Sequence, residues 1–259
     1  MTPTKHFKHA SRLLQLALAG TLLSGAWAAR AEGHGPHWDY KGAHDPAHWA
    51  ELDPAFEACA KGGEQSSVNI DKTVKVALPT LEFSYGKAQA SVVNNGHTIQ
   101  VNLPAGHTLK VDGQTFELLQ FHFHTPSEEA LKGERKPLVA HFVHKDGEGK
   151  LGVVAVLFDF GASNAAFKPV FEHLPAKPGE TLTADDLSLD LATLLPTDKG
   201  YYSFAGSLTT PPCSEGVSWM VLKNPVRLSA AQINSFRRLY RYNARPVQAL
   251  HERTIKESL

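Results

Sequence analysis

Within the chain, Gln120-Phe121-His122-Phe123-His124 is the segment whose residue types and spacing most directly suggest chemistry. In an extended strand successive side chains point to opposite faces, so His122 and His124 share one face while Phe121 and Phe123 share the other. Two imidazoles then point into the same space. A third, His141, stands in Val139-Ala140-His141-Phe142-Val143-His144, a strand-like run that follows the connection Lys132-Gly133-Glu134-Arg135-Lys136-Pro137. Three neutral imidazoles on neighbouring strands match a catalytic zinc site, which takes three protein ligands and keeps a fourth position for water. A single His-x-His pair is also a common arrangement of solvated or core histidines, so the reading depends on what surrounds it.

The surroundings read as a sheet. Between Val74 and Phe160, short alternating or apolar runs are broken by Gly, Asn, Pro and Lys, as strands joined by turns are. The predicted strands are Val92-Val93 before Asn94-Asn95-Gly96, Thr115 to His124, Leu138 to His144, and Val153 to Phe160 after Asp146-Gly147-Glu148-Gly149. They lie close enough in sequence to be antiparallel neighbours. Helix signals are fewer: Ser163 precedes Asn164 to Leu174, interrupted by Pro169, and Ser229 with Gln232 makes a capping box before Ile233 to Tyr240. Helices are therefore expected at the periphery. No internal repeat, low-complexity segment or Gly/Ser linker marks a second domain.

The run Gly206-Ser207-Leu208-Thr209-Thr210-Pro211-Pro212-Cys213-Ser214-Glu215-Gly216-Val217-Ser218-Trp219 resembles the signature of alpha-class carbonic anhydrases. Gln120 to His124, Ser127-Glu128, His141 to His144, Asn94-Asn95-Gly96-His97, Trp38-Asp39-Tyr40, His48-Trp49 and Asn243-Ala244-Arg245-Pro246 are similar to that family as well, in the family's order. The resemblance implies a mostly β (α+β) fold, a large, twisted, predominantly antiparallel sheet with short peripheral helices in a single domain over 29–259. It further implies that His122, His124 and His141 bind Zn2+, and that zinc-bound hydroxide attacks carbon dioxide to give bicarbonate and a proton. Thr209 is then expected to accept the hydroxide's hydrogen bond and donate its own to Glu128. Val143, Val153, Leu208 and Trp219 resemble the apolar wall for carbon dioxide, Thr210 would face the substrate and bicarbonate side, and His97 resembles the proton shuttle. Each has an ordinary reading too: a strand valine is usually plain core, and His97 follows a turn where surface histidines are common. A related binding protein without catalysis is the competing class, and loss of catalysis usually needs a missing ligand. An esterase would be a side activity of the same zinc site.

Metal-bound imidazoles normally donate their second ring N–H to an acceptor that sets tautomer and orientation. Gln120 can serve His122, and the resemblance suggests the backbone carbonyl of Asn243 for His124. For His141 the family's usual partner is a glutamate two residues upstream, and Val139 stands there. His141 is thus expected to lack that side-chain acceptor. Two smaller departures are Ser67-Val68 in Gln65-Ser66-Ser67-Val68-Asn69-Ile70, where Pro and Ile are common, and Phe204, where a tyrosine is frequent.

Lys5, Lys8 and Arg12 precede an apolar stretch from Leu13 to Leu23, with small-x-small sites at Ala26-Trp27-Ala28 and Ala29-Arg30-Ala31. This is a signal-peptide pattern over 1–28, too short to span a membrane, with cleavage favoured after Ala28. The expected location is periplasmic or secreted, with no membrane association after cleavage. Export makes Cys59 and Cys213, the chain's 2 cysteines, a candidate disulfide, the alternative being two buried free thiols. Their positions also resemble those of the disulfide in bacterial family members. With 26 basic and 26 acidic residues and no basic run interleaved with aromatics beyond the first dozen positions, nucleic acid is not an expected partner. The expected partners are carbon dioxide and bicarbonate, for a monomer or homodimer.

Overall fold

Alternating patterns become the strands of one sheet, and the most uniformly apolar run becomes its centre. The computed structural model describes residues 1–2, 36–184 and 187–259, and the chain divides into Met1–Gly35 and Pro36–Leu259. The predicted cleavage sites and apolar stretch of the signal segment lie outside the described residues. In Pro36–Leu259 the strands used below are β1 (Thr73–Val76), β2 (Ser91–Asn94), β3 (Ile99–Asn102), β4 (Gln114–His124) and β5 (Leu138–Asp146). They continue as β6 (Leu151–Phe160), β7 (Thr181–Leu182), β8 (Tyr201–Ser207), β9 (Glu215–Leu222) and β10 (Ile255–Ser258). Among the described residues they belong to a 13-stranded sheet, in the order β7-β2-β3-β4-β5-β6-β9-β8-β10-β1.

The predicted strands around the histidines form, and most neighbours are antiparallel. Two pairings in this order, β6 with β9 and β10 with β1, are parallel, so the sheet is mixed. β6 reads Leu-Gly-Val-Val-Ala-Val-Leu-Phe-Asp-Phe and is buried from Gly152 to Phe158, the continuous apolar run of a strand covered on both faces. The β5–β6 hairpin turns at Asp146–Gly149, where Gly149 takes φ +87 and the Asp146 carboxylate accepts from the N–H groups of Glu148 and Lys150.

Burial divides by face. Phe121, Phe123, Phe142, Val154, Val156 and Phe158 pack with Ile233 and Phe236 of a helix in one cluster. Val139, Val153, Ala155, Leu157, Trp219 and Val221 form a second cluster. The predicted capping box opens the helix Ala230–Leu239, with Ser229 and Gln232 bonded reciprocally. The other predicted helix is shorter than its pattern: of Asn164 to Leu174 only Lys168–Glu172 is α-helical. Pro169 sits in its first turn, where a residue without an N–H is tolerated, so the helix begins at the proline instead of running through it. No described helix is long and apolar enough to cross a membrane.

Candidate active site

Strand register brings the three histidines together. His141 on β5 is directly opposite His122 on β4, and Val139 is opposite His124. The rings lie close, with centroid separations of 5.0 Å for His122–His124, 5.6 Å for His122–His141 and 4.8 Å for His124–His141. One ring nitrogen from each falls within 4.8 Å of the others. His124 and His141 are buried, whereas His122 keeps partial exposure, so the cluster opens at one side.

Hydrogen bonds settle which nitrogens remain available. His122 Nδ1 pairs with Gln120 Oε1 at 2.9 Å, and His124 Nδ1 with the Asn243 carbonyl at 2.7 Å. His141 Nε2 pairs with Glu129 Oε1 at 2.9 Å. Each acceptor fixes a donor nitrogen, leaving His122 Nε2, His124 Nε2 and His141 Nδ1 with lone pairs. His124 Nε2 is buried and has no partner, which burial ordinarily penalises. A divalent metal removes that penalty, and three neutral nitrogen donors suit zinc. Burial, reinforced by the neighbouring His124 and His141, pushes His122 well below the usual imidazole range. Burial lowers His124 too, against the opposing charge of Glu128.

Glu129 replaces the acceptor that Val139 does not supply. The two carboxylates of Ser127-Glu128-Glu129 are both fully buried, and Glu129 reaches His141 across 12 residues. Burial acts to lower His141, but the charge and hydrogen bond of Glu129 outweigh it and raise the imidazole above its ordinary value. Burial conversely acts to raise Glu129, and the same pairing leaves its carboxyl below the ordinary range. The consecutive acidic residues after the His-x-His strand were the available signal; their proximity to His141 depends on a turn whose geometry no local pattern encodes. Val139 is fully buried within the second apolar cluster.

Glu128 lies beside the same histidines, with Oε1 3.6 Å from His124 Nδ1 and Oε2 3.8 Å from His141 Nδ1. Its Oε1 accepts the Arg245 backbone N–H at 2.7 Å, while Oε2 is buried without a partner. The Arg245 guanidinium donates to Gln65 Oε1 and to the carbonyls of Ser66 and Cys59. Burial pushes this guanidinium down to about 10. Thr209 is buried in the bend after β8, and no hydrogen bond joins it to Glu128.

The segment carrying Thr209 is tied down at both ends. Ser66 and Ser207 bond reciprocally through backbone N–H and hydroxyl, at 2.9 and 3.1 Å, and Trp219 Nε1 donates to the Ser207 carbonyl at 3.0 Å. A Cβ at Gly206 would lie 2.1 Å from Ser66 Oγ, so only glycine permits this approach. Phe204 stacks on Trp219 with parallel rings at 6.0 Å. Cys213, beyond the prolines, is bonded to Cys59 in a helix at Ala58–Lys61.

Val143, Val153, Trp219 and Phe204 form successive cross-strand pairs, and Leu208 packs against the same cluster. Trp219 meets His141 edge-on at 4.9 Å, so an apolar row borders the imidazoles. Thr210 is partly buried in the same bend, its carbonyl accepting from Cys213 N–H. His97 is partly exposed and stacks on Trp38 at 3.6 Å with an 8° interplanar angle. Burial lowers its imidazole, with Asp39 opposing. Asn243 links this turn to the cluster: its Nδ2 donates to the His97 carbonyl and its own carbonyl receives His124.

Residues 44–259 match the family model described as eukaryotic-type carbonic anhydrase. A carbonic anhydrase of Pectobacterium atrosepticum is 44% identical over 237 residues, covering 90% of this chain and 96% of that protein. Two solved structures are similar: the alpha-carbonic anhydrase of Thermovibrio ammonificans in complex with the inhibitor sulfanilamide, and that of Photobacterium profundum. The first has TM-score 0.83 and 42% identity, covering 86% of this chain and 99% of that one. The second has TM-score 0.81 and 48% identity, covering 85% and 100%. The sheet, the histidine cluster and these matches define an alpha-class carbonic anhydrase, and the chain belongs to that family. It is accordingly an enzyme of the class that hydrates carbon dioxide.

Proposed function

We propose that His122, His124 and His141 hold zinc and that the enzyme interconverts carbon dioxide and bicarbonate outside the cytoplasm, with His97 carrying the released proton. The observation that supports this most strongly is the convergence of three imidazoles whose other nitrogens are already engaged by Gln120, Asn243 and Glu129. Zinc would supply the Lewis acidity that brings ionisation of water near neutral pH, chemistry that carbonic anhydrases themselves exemplify.

The protein's contribution is orientation and exclusion. Arg245 N–H holds one oxygen of Glu128, and Oε2, without a partner in this structure, is the acceptor that the Thr209 hydroxyl would take up in the working site. A Thr209 hydroxyl committed to that donation presents only its oxygen lone pairs to the reacting water and so selects one orientation of it. Val143, Val153, Leu208 and Trp219 offer carbon dioxide a surface without hydrogen-bonding demands, while Thr210 faces the bicarbonate side. His97 accepts a proton relayed from the site and passes it outward, a task for which an imidazole near neutral pH is suited. The N-terminal segment 1–28 directs export.

Stopped-flow hydration with and without a zinc chelator tests the reaction, and activity indifferent to metal removal would overturn it. His97→Ala should lower kcat, spare kcat/KM and recover with small imidazole buffers; parallel loss of both without rescue would make His97 structural. N-terminal sequencing of periplasmic material should begin at Ala29.

A further inference from the structure

His97 borders a cavity of about 730 Å³, lined also by Asp39, Tyr40, Lys41, Arg238 and Arg241, among others. Its charge is uneven. Lys41, Arg238 and Arg241 are all exposed, and among the described residues their side chains form no ion pair or hydrogen bond. Asp39 is the lining carboxylate, and its Oδ1 already accepts the Tyr40 N–H at 2.6 Å. Arg238 lies in the last turn of the helix Ala230–Leu239, where its full charge exceeds the roughly half negative charge of a helix C-terminus. The excess is positive, and it borders the histidine proposed to export protons.

We propose that this cavity docks a phosphate-class oxyanion beside His97, and that the docked dianion is the base that receives the proton. The inference rests on the proposed shuttle role of His97. Arginine presents a planar fork of N–H donors suited to phosphate oxygens, and lysine adds a point charge. In the transfer, the imidazolium N–H bond breaks and its electron pair returns to the ring. An O–H bond forms on hydrogen phosphate, giving dihydrogen phosphate with one negative charge. Losing one of its two negative charges weakens the anion's hold on the cations, so the protonated form leaves. Burial lowers His97 against the opposition of Asp39, which favours release of the proton to a base of near-neutral pKa. Stacking on Trp38 holds the ring at the cavity edge while this happens.

The experiment is stopped-flow hydration at saturating carbon dioxide and fixed ionic strength, titrating inorganic phosphate against a neutral imidazole buffer. In the wild type, turnover should saturate at a lower concentration of phosphate than of the neutral buffer. Arg238→Gln with Arg241→Gln should raise the half-saturating phosphate concentration roughly fivefold to twentyfold, the scale expected for two solvent-exposed ion contacts. Turnover in imidazole buffer and kcat/KM should stay unchanged. Sulfate, which occupies the same cations but accepts no proton at neutral pH, should slow turnover in phosphate and leave it unaffected in imidazole. Equal half-saturation for both buffers, or a phosphate dependence unmoved in the double variant, would overturn the proposal. Binding is read separately from the His97 ring resonances during phosphate titration. Saturable shifts in the wild type that vanish in the double variant support docking, and their absence refutes it. A wild-type protein without hydration activity would instead defeat the zinc reading, and the resonance titration would still decide whether the cavity binds phosphate.

Discussion

The two strands that carry the imidazoles and the loops that orient those imidazoles are built on different rules. On β4 and β5, position follows from parity: His122 and His124 share a face because they are two residues apart, and His141 pairs with His122 by register. Away from those two strands, the loop residues Glu128, Arg245 and Ser66, with Ser207 at the end of β8, meet across as many as 179 residues through hydrogen bonds, and Glu129 and Asn243 reach the histidines themselves from loops. A strand position dictates where a side chain points, whereas a loop can supply the same polar atom from another residue. The acceptor for His141 makes the contrast concrete, since it comes from Glu129 and not from the strand position held by Val139.

The largest effect should come from the strands. His122→Ala, His124→Ala or His141→Ala should each abolish hydration, because two imidazoles do not hold zinc in a fixed tetrahedral site. Metal content and stopped-flow rates check this, and wild-type activity in any one variant would remove the ligand set.

The loop frame should show its weight in stability. Cys59 and Cys213 are 154 residues apart, and their disulfide joins the helix beneath Arg245 to the Thr209 segment. Loop closure of that length is worth about 5 kcal/mol in the chain-entropy account. Reduction should lower the urea-unfolding free energy by up to about that amount, and the denatured, unreduced protein should titrate no free thiol. Two thiols before reduction would refute the bridge.

This difference also governs what could be read beforehand. The His-x-His strand, the β5–β6 hairpin and the Ser229 capping box depend on neighbours within a few residues, and each was legible. The parallel pairing of β6 with β9 was not, because it joins Val153 to Trp219 across a long connection. The helix expected over Asn164 to Leu174 shortens to Lys168–Glu172, because Pro169 is tolerated in the first turn of a helix and not in its interior. Glu129 escaped for the reason that distinguishes the two regions: its role depends on where a turn delivers it.

His144 sharpens the contrast, since it shares β5 with His141 and has a different environment. A register shift between Val143 and His144 separates it from the parity of the cluster. Its Nδ1 pairs with the Gly152 carbonyl at 3.2 Å, so Nε2 is left to accept the Tyr85 hydroxyl at 2.5 Å. Burial outweighs the Gly152 bond and lowers this imidazole to about 4. The folded state therefore favours the neutral ring, and its contribution is fully present above the unfolded value of about 6.5. It is lost as pH falls toward 4, and by pH 5 the loss is about 2 kcal/mol. In His144→Gln the stability difference between pH 7 and pH 5, measured by urea unfolding, should shrink by about that amount. An unchanged pH dependence would show that His144 is not the group responsible.

The smallest expected effect tests the comparison most directly, because it exchanges a loop acceptor for a strand one. Glu129→Gln keeps an oxygen that can accept from His141 but removes the charge that strengthens the bond. Partners of zinc-bound histidines are typically worth 10-fold to 100-fold in metal affinity, and a variant that retains an acceptor belongs at the lower end, about tenfold. Zinc loss to excess chelator should quicken by that factor. Val139→Glu alone should not slow it, because His141 Nε2 is already taken and a new carboxylate would be buried near Glu128 and Glu129. In the Glu129→Ala background the same Val139→Glu change should recover part of the lost retention, since strand parity places position 139 on the face of His141. Slower zinc loss from Val139→Glu with Glu129 intact would mean that Glu129 does not serve His141 in the loaded enzyme. Failure of the rescue, with folding intact, would mean that a strand position and a loop position are not interchangeable as sources of the acceptor.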